Sequence, residues 1–352
     1  MTHMRYALIL LLALAGCARP PPRPAAESVR YLPVAYETLP GWGEARHSAS
    51  LQAFLAGCPR PALAQACELA ASIPAGDDAA ARGYFESGFE AYALASPESG
   101  ETGLITGYYE PVLFGSRVPD DFHRHPIHGV PDDLRRRAPY FTRREIEARG
   151  AAFPAPVIAW VADPVELFFL HVQGSGQLSF PDGERIRVGY ADTNGHPYRS
   201  VGNYLIERGE LALEQASMQG IKAWAAANPG KLQEALGYNA RYVFFRELAA
   251  ADGRGPIGAL GVPLTAEYSV AVDRRFVPLG APVYLATTFP LSSEPLERLM
   301  AAQDAGSAIR GVVRADFYWG TGVEAGAQAG RMRQPGRMWL LWPRGAALPD
   351  GG

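Results

Sequence analysis

Asp304 and Asp316 lie in the stretch AAQDAGSAIRGVVRADFYWGTG, residues 301–322, which holds no Lys and no His. Paired carboxylates suit cleavage of a glycosidic bond, where one protonates the leaving oxygen and the other activates water or attacks directly. Phe317, Tyr318 and Trp319 follow the second acid at once. Aromatic rings stack on the C–H faces of sugars, and apolar neighbours raise a carboxyl pKa. An Asp that is half-protonated near pH ~6.5 has climbed ~2.6 units from ~3.9, a differential interaction of ~3.5 kcal/mol. A desolvated site with a like charge nearby can supply that. Strand positions of equal parity share a face, so the two acids are expected on neighbouring strand segments that return alongside one another. Two ordinary strand-end aspartates are the plainer alternative, which chemistry alone leaves open.

Other chemistries are less well served. His123, His125 and His128 in FHRHPIHG have a spacing that would suit zinc. They fall in a Pro-rich, Arg-flanked stretch that reads as a loop, and no metal site is expected. His171 stands in an apolar run read as a strand, where a packed core histidine is the simpler account. Gln173–Gln177 (QGSGQ) lacks the Lys of a phosphate loop and the full dinucleotide fingerprint, so no nucleotide cofactor is expected. Its glycines do allow the backbone to approach a flat polar ligand such as a sugar. No G-x-S-x-G elbow is present.

The elements that must position these residues change character along the chain. Arg5 and the apolar run Tyr6–Gly16 suit a signal peptide (1–16) and are too short to span a bilayer, which takes ~20 residues. Leu14-Ala15-Gly16-Cys17 resembles a bacterial lipobox, with Cys17 acylated and a stiff Pro-rich tether over 17–27. Ala18 rather than Asp after the Cys points, by analogy with bacterial lipoproteins, to the outer membrane. In that oxidising compartment a disulfide between Cys58 and Cys67 is the simplest expectation. Residues 51–95 carry a helical spacing of apolar positions. Thr142 with Glu145 forms a capping box, and Ser200 is a candidate cap for the next helix. From LITGYYEPVLFGS onward, and again from Ile257, short β-forming runs are divided by Gly and Pro, as in a barrel or sandwich. The 352 residues suggest two domains, and a net charge of −3 gives no argument for nucleic acid.

GLITGYYEPVL (103–113), HPIHGVPDDL (125–134), FFLHVQGSGQL (168–178), VGYADTNGHPYRSVG (188–202) and VPLTAEYSVAVDRRFVPLGAPVYL (262–285) occur in order. Together with QDAGSAIRGVVRADFYWGTGVEAGAQAGRM and GRMWLLWP, they resemble the membrane-bound lytic murein transglycosylase A family from about residue 100 to 343. The resemblance implies a mainly β fold with helices: a double-psi β-barrel domain (28–105 and 245–347, with N-terminal helices), an inserted smaller β-domain (106–244), and a substrate groove between them. It implies cleavage of the β-1,4 bond between N-acetylmuramic acid and N-acetylglucosamine, leaving a 1,6-anhydro end without a cofactor.

The family motif R-x-D-[FIL]-[FY] places the catalytic acid on Asp316, with Asp304 as its support. Tyr108, Tyr109, Gln173, Gly174, Ser175, Gly176, Tyr198, Ser200, Gly306, Ser307, Ala308, Ile309, Phe317 and Tyr318 are implied to touch the glycan. The implied partners are peptidoglycan glycan strands, outer-membrane lipid through Cys17, and cell-wall synthesis or division proteins. The expected location is the periplasmic face of the outer membrane.

The sequence departs from the family at Ser307, where a second Gly is usual; at His125 and His128, in place of Tyr; and at Tyr268, in place of Arg. A positive φ at Ser307 would displace its loop. The competing readings are a noncatalytic murein-binding lipoprotein, an inverting glycosidase using both Asp316 and Asp304, and a zinc hydrolase.

Overall fold

A computed structural model of the chain describes residues 27–58, 63–248 and 255–351. The leader, Cys17 and all of the tether but Glu27 lie outside them. Strand β1 (Arg30–Val34) is followed by helices α1 (His47–Ala56), α2 (Ala64–Ala70) and α3 (Asp78–Gly88), then by β2 (Phe89–Ala95) and β3 (Gly103–Glu110). Next come β4 (Val112–Ser116), β5 (His125–His128), α4 (Arg143–Arg149), β6 (Val157–Val161), α5 (Pro164–Gln173), β7 (Ser175–Ser179) and β8 (Arg185–Thr193). Helices α6 (Val201–Glu207), α7 (Met218–Ala227) and α8 (Leu232–Tyr238) precede β9 (Val243–Leu248). The chain continues with β10 (Ser269–Val272), β11 (Pro282–Thr288), β12 (Pro295–Asp304), β13 (Arg314–Thr321), α9 (Val323–Ala329) and β14 (Arg333–Pro343).

The first sheet runs β1-β2-β14-β11-β12-β10-β13-β3, and β14 also pairs with β3. That extra pairing closes β14, β11, β12, β10, β13 and β3 into a six-stranded barrel, with β2 and β1 continuing outward from β14. β10–β12 and β13–β3 are parallel pairs and the other pairings are antiparallel. This is the double-psi barrel that the sequence led us to expect. Its core includes Val270, Phe317 and Leu340, and extends through Phe54, Phe85 and Phe89 to the N-terminal helices. The second sheet runs β5-β6-β4-β7-β8-β9. It buries Leu113, Ile127, Leu178, Val188 and Phe245 beneath α5, while α5 to α8 share a core around Phe168, Leu205, Trp224 and Leu236. By strand pairing the chain leaves the barrel at Glu110, so the break expected near 105 falls inside β3.

Local signals account for most element ends. Thr142 and Glu145 make the reciprocal capping box of α4, and Ser200 accepts from the Asn203 N–H to cap α6. Two assignments exchange helix and strand. Residues 89–95, read as helix, form strand β2, paired with both β1 and β14. Pro164–Gln173, read as strand, is helix α5. Asp163 caps it by accepting from the N–H groups of Val165 and Glu166, Pro164 sets its first turn, and Gly174 ends it at φ +79°. His171 is therefore a buried helical residue.

Cys58 and Cys67 are joined by a disulfide, with their Cα atoms 5.9 Å apart. His123 meets Asp120 in an exposed loop, but His125–His128, read as part of the same loop, form strand β5 paired with β6, where His128 packs against the rings of Phe153 and Tyr242.

Candidate active site

Strand β10 runs between β12 and β13, and its Ala271 pairs with Asp304 on one side and with Asp316 on the other. The acids are thus not on neighbouring strands, as the sequence suggested, but two strands apart across one alanine. Strands lie ~4.8 Å apart, so the two backbones stand about 10 Å apart with β10 between them, and the Ala271 methyl is the side chain that separates the acids on their shared face.

A bulge aims Asp304 at this position. Val270 pairs with Ala302 and Ala271 with Asp304, which leaves Gln303 as the extra residue on β12. Gln303 turns inward and is fully buried. Its amide donates to the Ala53 carbonyl in the last turn of α1 (2.6 Å) and its oxygen accepts from the Ser269 hydroxyl.

Strand β3 completes the site. Thr106 lies opposite Asp316, and Tyr108 opposite Tyr318. The Thr106 hydroxyl donates to Asp316 Oδ1 at 2.5 Å, and the Tyr108 hydroxyl donates to Asp304 Oδ2 at 2.9 Å. Asp304 Oδ1 also accepts from the backbone N–H groups of Ala259 (2.8 Å) and Ala305 (2.9 Å). Asp304 and Asp316 are each half-buried.

Burial raises the pKa of each acid above the ordinary range. At Asp304 the Ala259 and Ala305 N–H groups and the Tyr108 hydroxyl oppose that rise. At Asp316 the Thr106 hydroxyl and Arg314 oppose it, while the nearby Asp304 adds to it. Three donors favour the carboxylate form of Asp304 while a single hydroxyl does so at Asp316, an asymmetry that favours the protonated form at Asp316. Tyr108 itself is pushed well above the usual tyrosine value, first by burial and then by both acids, so it stays a donor.

The other candidate residues fall into separate groups. Tyr109 points away from the acids by strand alternation, and its hydroxyl donates to Met218 Sδ at 3.1 Å. With Gly107 and Ala329 it forms the barrel side of a cavity of about 170 Å³. Phe168, Gln173 and Ile221 line that cavity from the helices beside the second sheet, and Tyr198 and Ser200 from the segment that leads into α6. Gly174 caps α5, while Ser175 and Gly176 begin β7, where Gly176 lies close to the Pro111 carbonyl.

Gly306 and Ile309 close a turn after Asp304, with Ser307 and Ala308 exposed on it. Ser307 does not take a positive φ, so its Cβ is accommodated. Asp273 tethers the far end of this loop by accepting from the Gly311 N–H at 3.0 Å. Phe317 and Tyr318 are corrected: both are fully buried, at 0% and 1% exposure, and present no face to a ligand. Arg298 lies 5.0 Å over the ring of Tyr268, so a guanidinium from the next strand covers the position where the family's usual Arg is missing.

The sequence reading passed over Thr106 and Arg314, and also Glu110, Arg187 and Thr321, which meet at the junction of the two sheets. A lone Thr in a strand gives no signal of its own. Its alternation with Tyr108 ahead of a buried Glu was the one available hint.

The insert-domain model named MltA specific insert domain matches residues 104–246, and the 3D domain model matches residues 268–342. The membrane-bound lytic murein transglycosylase A of Escherichia coli K12 is 35% identical over 261 residues, 72% of this chain and 69% of the relative. The crystal structure of MltA from Neisseria gonorrhoeae superposes with a TM-score of 0.81 at 39% identity, covering 92% of this chain and 95% of that one. E. coli MltA with bound chitohexaose gives a TM-score of 0.71 at 30% identity, covering 90% of this chain and 94% of that one. A barrel closed around two carboxylates, an inserted sheet beside it and relatives matching over most of their length lead to one conclusion: the chain belongs to the membrane-bound lytic murein transglycosylase A family.

Proposed function

We propose that this chain is a lytic transglycosylase that cuts the β-1,4 bond between N-acetylmuramic acid and N-acetylglucosamine in peptidoglycan. The observation that carries the reading is the unequal shell of the two acids: Asp304 already accepts three hydrogen bonds, and Asp316 accepts one from a side chain. Asp316 gives its proton to the glycosidic oxygen as the C1–O bond breaks. The muramic C6 hydroxyl then attacks C1, and its proton passes to the Asp316 carboxylate. The 1,6-anhydro ring closes, no water is consumed, and the acid is restored. Asp304 holds Tyr108 and supports the developing positive charge.

The chain takes both proton and nucleophile from protein and substrate, so it needs no cofactor. Relatives bear the name membrane-bound, and no helix among the described residues is long and apolar enough to cross a membrane. An acylated Cys17 holding the enzyme on the periplasmic face of the outer membrane fits both. Cell-wall synthesis or division proteins would be its neighbours there.

The two-strand spacing of the acids also suits an inverting glycosidase, whose carboxyls stand ~6.5–9.5 Å apart. Mass spectrometry of murein fragments released by a form lacking Cys17, beside an Asp316→Asn variant, separates the readings. Fragments one water lighter than hydrolysed ones, absent with the variant, support the transglycosylase. Reducing ends of full mass move Asp304 into the role of base, and binding without cleavage leaves a murein-anchoring lipoprotein.

A further inference from the structure

Glu110 is the last residue of β3, where the chain passes from the barrel to the second sheet, and its side chain is fully buried. Arg187 on β8 of the second sheet donates to both its oxygens, Nε to Oε1 at 2.5 Å and Nη2 to Oε2 at 3.1 Å. Gln177 on β7 donates to Oε2 at 2.9 Å, and the Thr321 hydroxyl at the end of β13 donates to the same oxygen at 3.0 Å. One carboxylate therefore gathers two strands of the inserted sheet and two strands of the barrel. The backbone repeats the arrangement: the Gly322 N–H donates to the Glu110 carbonyl, and the Gln177 N–H to that of Pro111.

The network does not end there. With its proton committed to Glu110, the Thr321 oxygen accepts from the Tyr318 hydroxyl at 3.4 Å. The Tyr318 ring lies 5.2 Å from that of Tyr108, whose hydroxyl donates to Asp304. Tyr318 feels Glu110, Arg187 and Asp304 together, which places it electrically between the junction and the acid pair.

We propose that the Glu110–Arg187 pair, read out through Thr321, is a latch that sets the inserted domain against the barrel and fixes the Tyr318–Tyr108 rings that hold Asp304. Glu110, Arg187 and Thr321 are then positioning residues. They touch neither acid and act through the two tyrosines. A buried ion pair adds little stability beyond what a well-packed apolar pair would give, but breaking one partner leaves a charge stranded. A role in geometry is therefore separable from a role in folding.

The inference rests on the site reading above, and the experiment keeps the two apart by measuring chitohexaose affinity as well as anhydro-product formation. Thr321→Val keeps the ion pair and removes only the hydroxyl relay. It is expected to leave the melting temperature within a few degrees, lower kcat by about 5–10-fold and displace the pH profile. Glu110→Gln is expected to weaken chitohexaose binding by about 10-fold. In the double variant Glu110→Leu with Arg187→Met, the melting temperature is expected to recover relative to Arg187→Met alone, with affinity and turnover still impaired.

The latch is overturned if Thr321→Val matches the wild type in kcat, affinity and pH profile. It is equally overturned if the double variant regains affinity and turnover along with its melting temperature, because the pair would then be structural only. If the wild type binds chitohexaose but forms no anhydro product, the functional reading fails, and the affinity arm still decides the latch.

Discussion

Asp304 and Asp316 are the same chemical group in unlike surroundings, and the difference can be tested one hydrogen bond at a time. Asp316→Asn removes the proposed proton carrier, and a loss of about 10²–10⁴-fold in kcat is expected in a fragment-release assay, with chitohexaose affinity retained. Thr106→Val removes the donor that stabilises the Asp316 carboxylate. That hydrogen bond lowers the pKa, so its loss raises it. The acid then stays protonated to higher pH, and the alkaline limb of the kcat/KM profile moves up by about a unit. A downward shift would show that Thr106 serves the neutral form instead. Tyr108→Phe leaves Asp304 with its two backbone donors and is expected to reduce turnover without abolishing it.

At the scale of elements, one extra residue in β12 decides where an acid points. Gln303→Leu leaves the Ser269 hydroxyl and the Ala53 carbonyl without their buried partner. A loss of about 1–3 kcal/mol in denaturant unfolding is expected, with a fall in activity, because the same bulge aims Asp304.

Much of this level was readable beforehand. The strands around both acids, the capping box at Thr142 and the cap at Ser200 follow from residue types alone. The two misassigned segments have physical reasons. The apolar spacing of YFESGFEAYAL fits a helix, but β14 and β1 each offer a strand edge to Phe89–Ala95, and neither is visible in the local sequence. The apolar run over Pro164–Gln173 reads as a strand, although its Asp-Pro start is a good helix opening. The bulge, the place of β10 between the two acids and the split between Tyr108 and Tyr109 arise from pairing over long sequence distances. No window of residues could reveal them.

For the whole molecule, pH should act on the inserted domain before the barrel site. His171 is buried with neither ring nitrogen partnered, and His128 is buried beside it with Nδ1 unpartnered. Burial lowers the His128 pKa to about 4, and burial, followed by Arg143 and His128, holds that of His171 well below its usual value. The unfolded chain takes up protons as pH falls below ~6.5 and the folded chain resists, so stability is lost from there down to about pH 4 for His128. His128 is expected to contribute about 2 kcal/mol of loss between pH 7 and pH 5 in melting experiments, and His171 to act in the same direction. The slope should flatten in His171→Phe, and an unchanged slope would assign the acid sensitivity elsewhere.

The extra pairing of β14 with β3 also has a consequence in time. Strands β4 to β9 lie in one continuous stretch of chain, so the inserted sheet can assemble as soon as Leu248 is made. β3 is synthesised before that stretch, yet its barrel neighbours β13 and β14 come more than 200 residues later. Contacts so distant along the chain form slowly, because a long loop must first be closed. Thr106 reaches Asp316 only when those final strands arrive. The newly made chain is thus expected to pass through a stage with a folded insert and an unformed acid pair, so that the ability to cut the wall appears last.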